Sequence, residues 1–328
     1  MTAQSIFDVR VHLLPDVISK LVWKNYERDA WKVRYALLAD QAIEFLKEHG
    51  IERMAGICYA GQPGMASYLN DFMAQLSQRH AATLVPFGTV HPRDRDCAKE
   101  TLRVLDDLRF AGIKLHCHLL KMAPDDATLA PIFEAVADRD KVLNLHSGAV
   151  AKSNAALDEI RQFCNIDAFR RAMRRTPQLK IIVPHIGYDE VQPYLDLMDE
   201  FPNLYFDTAM AFGGHRVATG EALPDVRPLQ ERRYARDARP PLPFPWKPAL
   251  EQLVPQMRDY PNRFLYGSDF PHIPYDWDLE IKEIERYLPD DVASKVLSEN
   301  ANALFSLDEG ASRNLSSSAA ANTMGATP

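Results

Sequence analysis

Histidine and aspartate residues recur at the ends of short apolar runs, and both residue types bind metal ions and transfer protons. His12, His146, His185 and Asp269 each end such a run or follow it closely. Imidazole nitrogen and carboxylate oxygen are ligands that suit Zn²⁺ or a similar divalent ion. Ionisable groups are costly to bury among apolar residues unless they are paired or bind a metal. Several of them meeting at one place therefore indicate a functional site.

Further polar side chains share faces of the same predicted strands. Because side chains alternate along a strand, Arg10 shares the face of His12, and His116 shares the face of Lys114. Arginine and lysine bind carboxylates, so both cations are candidates for anchoring an acidic substrate. For Lys114 the alternative is a buried pair with a carboxylate of the chain such as Asp207, and we favour anchoring.

Eight apolar, β-branched runs are spaced along the chain, and we predict that each is a strand. They are residues 5–13, 51–59, 82–90, 110–117, 141–148, 179–187, 203–210 and 263–271. Amphipathic helical patterns lie between them, at intervals of roughly 30 residues that are typical of parallel βαβ units. Eight units predict an α/β fold, a single-domain (β/α)₈ TIM barrel. The alternative is a doubly wound open sheet, but the segment HLLPDV after strand one is not its glycine-rich phosphate loop.

The predicted barrel covers residues 1–307 and has two long loops, 14–37 and 211–250, on the face where barrel enzymes build their sites. We interpret them either as lids and substrate walls or as oligomer contacts and spacers. Residues 308–328 are small and polar, and we predict a disordered tail.

Composition and charge exclude several classes of protein. Hydrophobic residues make up 46% and charged residues 25%, as in globular proteins. The formal charge of −7 argues against nucleic acid, and the basic run 170–175 suits a solvated helix face. No apolar run is long enough for a membrane span, and no signal peptide is visible, so we expect a cytoplasmic protein. The four cysteines lack a CxxC pair and are predicted to be reduced core thiols.

The motifs at the strand ends resemble, in order and position, those of the amidohydrolase superfamily. They are D-V-R-V-H at 8–12, GIKLH, LHSG, PHIG and YGSDFP. The closest resemblance is to the amidohydrolase-related branch that contains aminocarboxymuconate-semialdehyde decarboxylase, and it covers residues 5–307. Each motif is weak alone, but five in the right order are strong together.

The resemblance implies a role for each motif residue. It makes His12 and His146 ligands of one divalent metal, zinc or manganese. His185 would bind a second metal or act as an acid/base that polarises the substrate carbonyl. Asp269 would bind the metal and take the proton from the attacking water. His116 and His272 lie at the barrel mouth and are predicted to contact the substrate.

One position departs from the family pattern. The family has D-x-H-x-H on strand one, whereas residues 8–12 place Arg10 at the first histidine. A guanidinium has no lone pair to give, so it cannot bind a metal. Three interpretations stay open, in this order. In the first, the remaining ligands hold one metal. In the second, Arg10 replaces the metal with a fixed charge, since the branch includes a metal-independent lactonase. In the third, Arg10 pairs with Asp269 or Asp8 in an inactive site.

The resemblance, taken with these residues, implies a hydrolase that cleaves an amide or lactone bond of a small carboxylated substrate. The metal would lower the pKa of its bound water towards ~7, and Arg10 and Lys114 would hold the anionic part of the substrate. The alternatives are a non-oxidative decarboxylase of an aromatic or muconate-type acid, a metal-independent lactonase using Arg10, and a non-catalytic binding protein. A homodimer is expected from base rates.

Overall fold

Eight parallel strands pair in chain order in the computed structural model, which describes residues 5–148, 159–220 and 246–306. The strands are β1 Ile6–His12, β2 Ile51–Ile57, β3 Leu84–Gly88, β4 Gly112–His116, β5 Val142–His146, β6 Lys180–Val183, β7 Leu204–Asp207 and β8 Phe264–Leu265. Each strand is hydrogen-bonded to the next in parallel register.

Backbone bonds from β1 to β8 and the loop after it close the sheet on itself. Val9 donates to the carbonyl of Tyr266 at 2.9 Å, and His12 donates to that of Phe270 at 2.8 Å. Asp269 returns a bond to the carbonyl of Arg10 at 3.1 Å. The predicted single-domain (β/α)₈ barrel is confirmed.

Helices lie between the strands, as the repeat predicted. They are α1 Asp16–Asp29, α2 Ala39–Glu48, α3 Ala66–Arg79, α4 Cys97–Leu102, α5 Cys117–Leu120, α6 Ala130–Ala137, α7 Ile166–Arg175, α8 Val191–Leu195, α9 Ala211–Ala218, α10 Leu250–Asp259, α11 Leu279–Tyr287, α12 Asp290–Ser294 and α13 Asn300–Leu304. No helix among these described segments is long and apolar enough to cross a membrane.

Helix α7 shows how sequence sets these elements. The side chain of Asn165 caps its first turn by accepting from the amide of Ala168 at 2.9 Å. Phe169 and Met173, four residues apart, are buried on one face. Its arginines pair with acidic residues at the surface, Arg171 with Asp125 among them, so the basic run is the solvated helix face that we predicted.

The structure describes the first of the two predicted long loops throughout and the second only in part. The first, 14–37, contains the 14-residue helix α1 rather than an open loop. The second, 211–250, begins with α9, but residues 221–245 lie outside the described residues, as does the predicted tail 308–328. The domain limits therefore stay a prediction. All four cysteines are free, and three are buried.

Candidate active site

A cavity of about 390 Å³ opens where the carboxyl ends of the strands meet. Among the residues that line it are six that the sequence singled out: Arg10, His12, His116, His146, His185 and Asp269. The barrel therefore brings together residues from five of its strand ends, which is where barrel enzymes build their sites.

The chain makes a sharp turn after β6 to present His185. His185, Ile186 and Tyr188 all have positive φ angles, as does Gly187 between them. Positive φ is unfavourable for residues with a side chain, and such residues cluster at functional sites. Gly148, after β5, lies so close that a Cβ there would stand 2.5 Å from the carbonyl oxygen of Gly187. The two turns pack directly on each other.

Asp269 is the centre of the site. Its Oδ1 accepts from Arg10 Nε at 2.6 Å and lies 2.9 Å from Nε2 of His12. His185 Nε2 is 3.9 Å from the same oxygen. Burial alone raises the pKa of this carboxyl, but the charge of Arg10 and the interaction with His12 outweigh burial and hold it well below its usual range. Asp269 is therefore an ionised carboxylate at neutral pH.

Arg10 is bound by two carboxylates and is only 2% exposed. Besides the contact with Asp269, its Nη1 lies 3.6 Å from Oδ2 of Asp207. Neither Nη1 nor that Oδ2 has a hydrogen-bond partner among the described residues. The other oxygen of Asp207 accepts from the amides of His185, at 2.8 Å, and Ala209. Asp207 thus fixes the turn after β6, a role that the sequence did not reveal.

Asp8 joins β1 to the loop after β8. Its carboxylate accepts from the amides of Arg10 and Ser268, both at 3.0 Å, and from the Ser268 hydroxyl at 2.5 Å. Burial raises the pKa of Asp8 to about 7. Asp8 accepts from the backbone amide of Arg10 and not from its guanidinium. Of the two carboxylates predicted as buried partners of the Arg10 guanidinium, the structure therefore shows Asp269.

The imidazoles around Asp269 are neutral. His185 Nδ1 is 2.8 Å from the carbonyl oxygen of Ala209, which only accepts, so Nδ1 carries the proton and Nε2 has a lone pair. Burial, with the charge of Arg10, lowers the pKa of His185 to about 4. His116 and His146 stack at 4.0 Å between ring centroids, and burial holds the pKa of each well below its usual range.

Two predicted substrate contacts lie away from the cavity lining. Lys114 is fully buried and donates to Oδ1 of Asn144 at 2.8 Å, not to Asp207. His272 is 1% exposed and packs between the rings of His12, at 4.6 Å, and Tyr26, at 4.9 Å. Their substrate-binding roles stay predictions, and the contacts favour supporting roles.

Aromatic side chains form part of the cavity wall. Tyr26 and Trp31, from α1 and the segment after it, line the cavity with Tyr59 and Tyr188. Trp31 is fixed by a bond from its Nε1 to the carbonyl of His272 at 2.7 Å. The first two lie in the predicted long loop 14–37, which was interpreted as a possible substrate wall. Tyr59 follows β2 without any polar motif, and the sequence analysis did not identify it.

The predicted metal ligands do not form a metal site as they are arranged. Within residues 5–148, 159–220 and 246–306, no group of three or more His, Cys, Asp or Glu side chains is placed to hold a metal ion. The Oδ1 of Asp269 already accepts from Arg10. A divalent ion ~4 Å from that guanidinium would be repelled by about 8 kcal/mol at an effective dielectric constant of ~20. The side chains present therefore do not fit a divalent metal.

The family profile described as "Amidohydrolase" matches residues 7–307. The chain belongs to the amidohydrolase family. The match runs from the first strand to the last helix of the barrel, and it confirms the resemblance predicted from the strand-end motifs. No curated protein matches the chain in sequence.

Solved structures share the fold at low sequence identity. An uncharacterised TIM-barrel protein from Bordetella bronchiseptica superimposes with a TM-score of 0.66 at 16% identity, over 92% of this chain and 98% of its own. The 2,6-dihydroxybenzoate decarboxylase from Rhizobium gives 0.63 at 16%, over 94% and 100%. A dihydroxybenzoic acid decarboxylase from Polaromonas, with bound manganese and 2-nitroresorcinol, gives 0.62 at 17%, over 93% and 98%.

Proposed function

We propose that this amidohydrolase-family enzyme hydrolyses an amide or lactone bond in a small carboxylated substrate. The observation that carries the proposal is the contact between Asp269 and Arg10 in the cavity, at 2.6 Å. It keeps an acceptor-only carboxylate beside a fixed positive charge at the place where the strand ends meet. Such a pair supplies a base for water and a charge for the oxyanion that water attack creates.

Asp269 and His185 hold the attacking water. Oδ1 of Asp269 and Nε2 of His185 are 3.9 Å apart, and both are acceptors. One water molecule between them donates one proton to each, which aims its lone pair at the substrate carbonyl. We therefore assign His185 to positioning the water. The role implied by the family needs an N–H at Nε2 that donates to the carbonyl oxygen, whereas Nε2 here has a lone pair.

The proton returns to the leaving group. Water adds to the carbonyl carbon as its proton passes to Asp269, and Arg10 stabilises the oxyanion of the tetrahedral intermediate. When the bond to the leaving oxygen or nitrogen breaks, Asp269 gives the proton to that atom. The reaction consumes one water molecule and forms a carboxylic acid together with an alcohol or an amine.

The cavity wall sets the kind of substrate. The rings of Tyr26, Tyr59 and Trp31 favour a flat molecule, and the volume of about 390 Å³ suits a small one. Arg10 and the neighbouring imidazole of His116 lie among these rings and bind its anionic or polar part.

Replacing Asp269 with asparagine tests the proposal. Asn cannot accept the proton of water, so we expect kcat/KM on lactones and amides of carboxylated compounds to fall by about 10²–10⁴-fold. Asp106→Asn, a change at an exposed surface residue paired with Arg139, is the matched control and should keep full activity. Normal turnover by Asp269→Asn contradicts the proposal.

Non-oxidative decarboxylation of an aromatic acid is the second candidate. The aromatic wall suits such a substrate, and two of the similar solved structures are decarboxylases of dihydroxybenzoic acids. That reaction needs an acid that protonates a ring carbon, whereas Asp269 is held ionised by Arg10. Release of carbon dioxide from dihydroxybenzoates, without cleavage of lactones or amides, would favour this candidate.

The metal prediction is not part of the proposal. A zinc or manganese ion held by His12, His146, His185 and Asp269 would make either reaction metal-dependent, and the manganese in similar solved structures motivates that prediction. The contact of Arg10 with Asp269 argues against it. A cytoplasmic location and a homodimer stay predictions.

A further inference from the structure

Arg10 occupies the position on β1 where the family pattern has its first histidine, and its guanidinium points into the site. Its Nε is 2.6 Å from Oδ1 of Asp269, and a second carboxylate, that of Asp207, lies 3.6 Å from Nη1. The guanidinium therefore neutralises the carboxylate that a metal in this site would need as a ligand.

Arg10 lines the cavity, so its guanidinium charge acts on an oxygen bound there. Its Nη1 is itself buried beside Oδ2 of Asp207 and has no hydrogen-bond partner among the described residues. The guanidinium keeps its charge, because an arginine side chain is not deprotonated in proteins.

We propose that Arg10 replaces the divalent metal of the family in this chain. Its Nε occupies the Oδ1 of Asp269 that a metal would need as a ligand, and its guanidinium charge stabilises the substrate oxygen on which negative charge develops. The inference rests on the proposed hydrolysis for the second of these roles, and the first is independent of it. The enzyme accordingly works without a divalent metal and is insensitive to chelators.

Metal content of the wild-type chain is the first test. After dialysis against EDTA, plasma mass spectrometry should find a metal content far below one ion per chain, and adding Mn²⁺ or Zn²⁺ should change neither Tm nor turnover. One equivalent of zinc or manganese that survives dialysis and is lost in His12→Ala overturns the proposal.

Arg10→His is the companion variant, because it restores D-x-H-x-H at residues 8–12. Calorimetry should show one Mn²⁺ bound per chain, with a Tm that rises with Mn²⁺ concentration. Arg10→Gln removes the charge without adding an imidazole, and it is the matched control that should bind none. Circular dichroism verifies that each variant is folded.

Each outcome decides the point. Equal Mn²⁺ binding by wild type and Arg10→His, or none by a folded Arg10→His, contradicts Arg10 as the residue that excludes the metal. Should Arg10→His fail to fold, the wild-type metal content still decides. These measurements use no substrate, so a failure of the proposed hydrolysis in the Asp269→Asn experiment is distinguishable from a failure here.

Discussion

At the scale of single residues, the proposals depend on one position of β1. The family pattern has a histidine there, whereas Arg10 donates to the carboxylate of Asp269 at 2.6 Å. The sequence was sufficient to identify Arg10 and Asp269 and to name Asp269 as one of two possible partners of Arg10. It did not predict the partner of Lys114. Whether that Nζ reaches Asn144 or Asp207 depends on the register between strands, and the pattern along one strand gives no information about that register.

Ser268 offers a residue-scale prediction. Its hydroxyl donates to Asp8 and accepts from the amide of Phe270 at 2.9 Å. Ser268→Ala leaves the buried Asp8 without its side-chain donor, so urea unfolding should show a loss of about 1–3 kcal/mol. Ser77→Ala, on a half-buried hydroxyl of α3 that donates to a helix carbonyl, should change stability by under ~0.5 kcal/mol. Equal losses would contradict the role of Ser268.

At the scale of elements, the apolar runs located the strands but not their ends. The run 263–271 was predicted as one strand, whereas β8 spans only Phe264–Leu265 and the rest turns to present Asp269. Segment 14–37 was predicted as a loop, yet most of it is α1. That helix has a weak apolar face and exposes Val17 and Leu21. A pattern of this kind does not distinguish a helix from a loop, because the tertiary contacts of its inner face decide.

Gly148 gives an element-scale prediction about the turns after β5 and β6. An alanine Cβ there would stand 2.5 Å from the carbonyl oxygen of Gly187, so the turn that presents His185 must shift. A displacement of about 1 Å costs up to ~10²-fold in rate, so Gly148→Ala should lower kcat by that order while the chain stays folded. Gly61→Ala is the control, since nothing lies within 4 Å of a Cβ at Gly61. Unchanged kcat in Gly148→Ala would refute the close packing.

At the scale of the whole molecule, the barrel was predictable because eight strand–helix units repeat in sequence. The site was predictable in outline because parallel strands in a barrel bring all their carboxyl ends to one face. Long-range contacts such as that of Glu280 were not predictable. Its carboxylate, on α11, accepts from the amides of Phe212 and Gly213 at the start of α9, at 3.0 and 2.7 Å. Nothing in the local sequence pairs these helices.

Glu280 also predicts how global stability depends on pH. Burial raises its pKa from 4.5 to about 8. The folded chain then binds more protons than the unfolded chain between these values, so the free energy of unfolding should fall as pH rises through that window and level off above it. The contribution is at most about 1.4 kcal/mol per pH unit. Subtracting the urea-unfolding profile of Glu280→Gln isolates it, and a difference profile that rises or stays flat would contradict the assignment.

The central claim is hydrolysis without a metal, by Asp269 beside Arg10. The most direct measurement is turnover by EDTA-treated wild-type enzyme on one panel of carboxylated lactones, amides and dihydroxybenzoates, with hydrolysis products and carbon dioxide both quantified. We predict cleavage of a lactone or amide, no carbon dioxide, and no gain on adding Mn²⁺. Release of carbon dioxide, or activity that appears only after Mn²⁺ is added, would contradict the account.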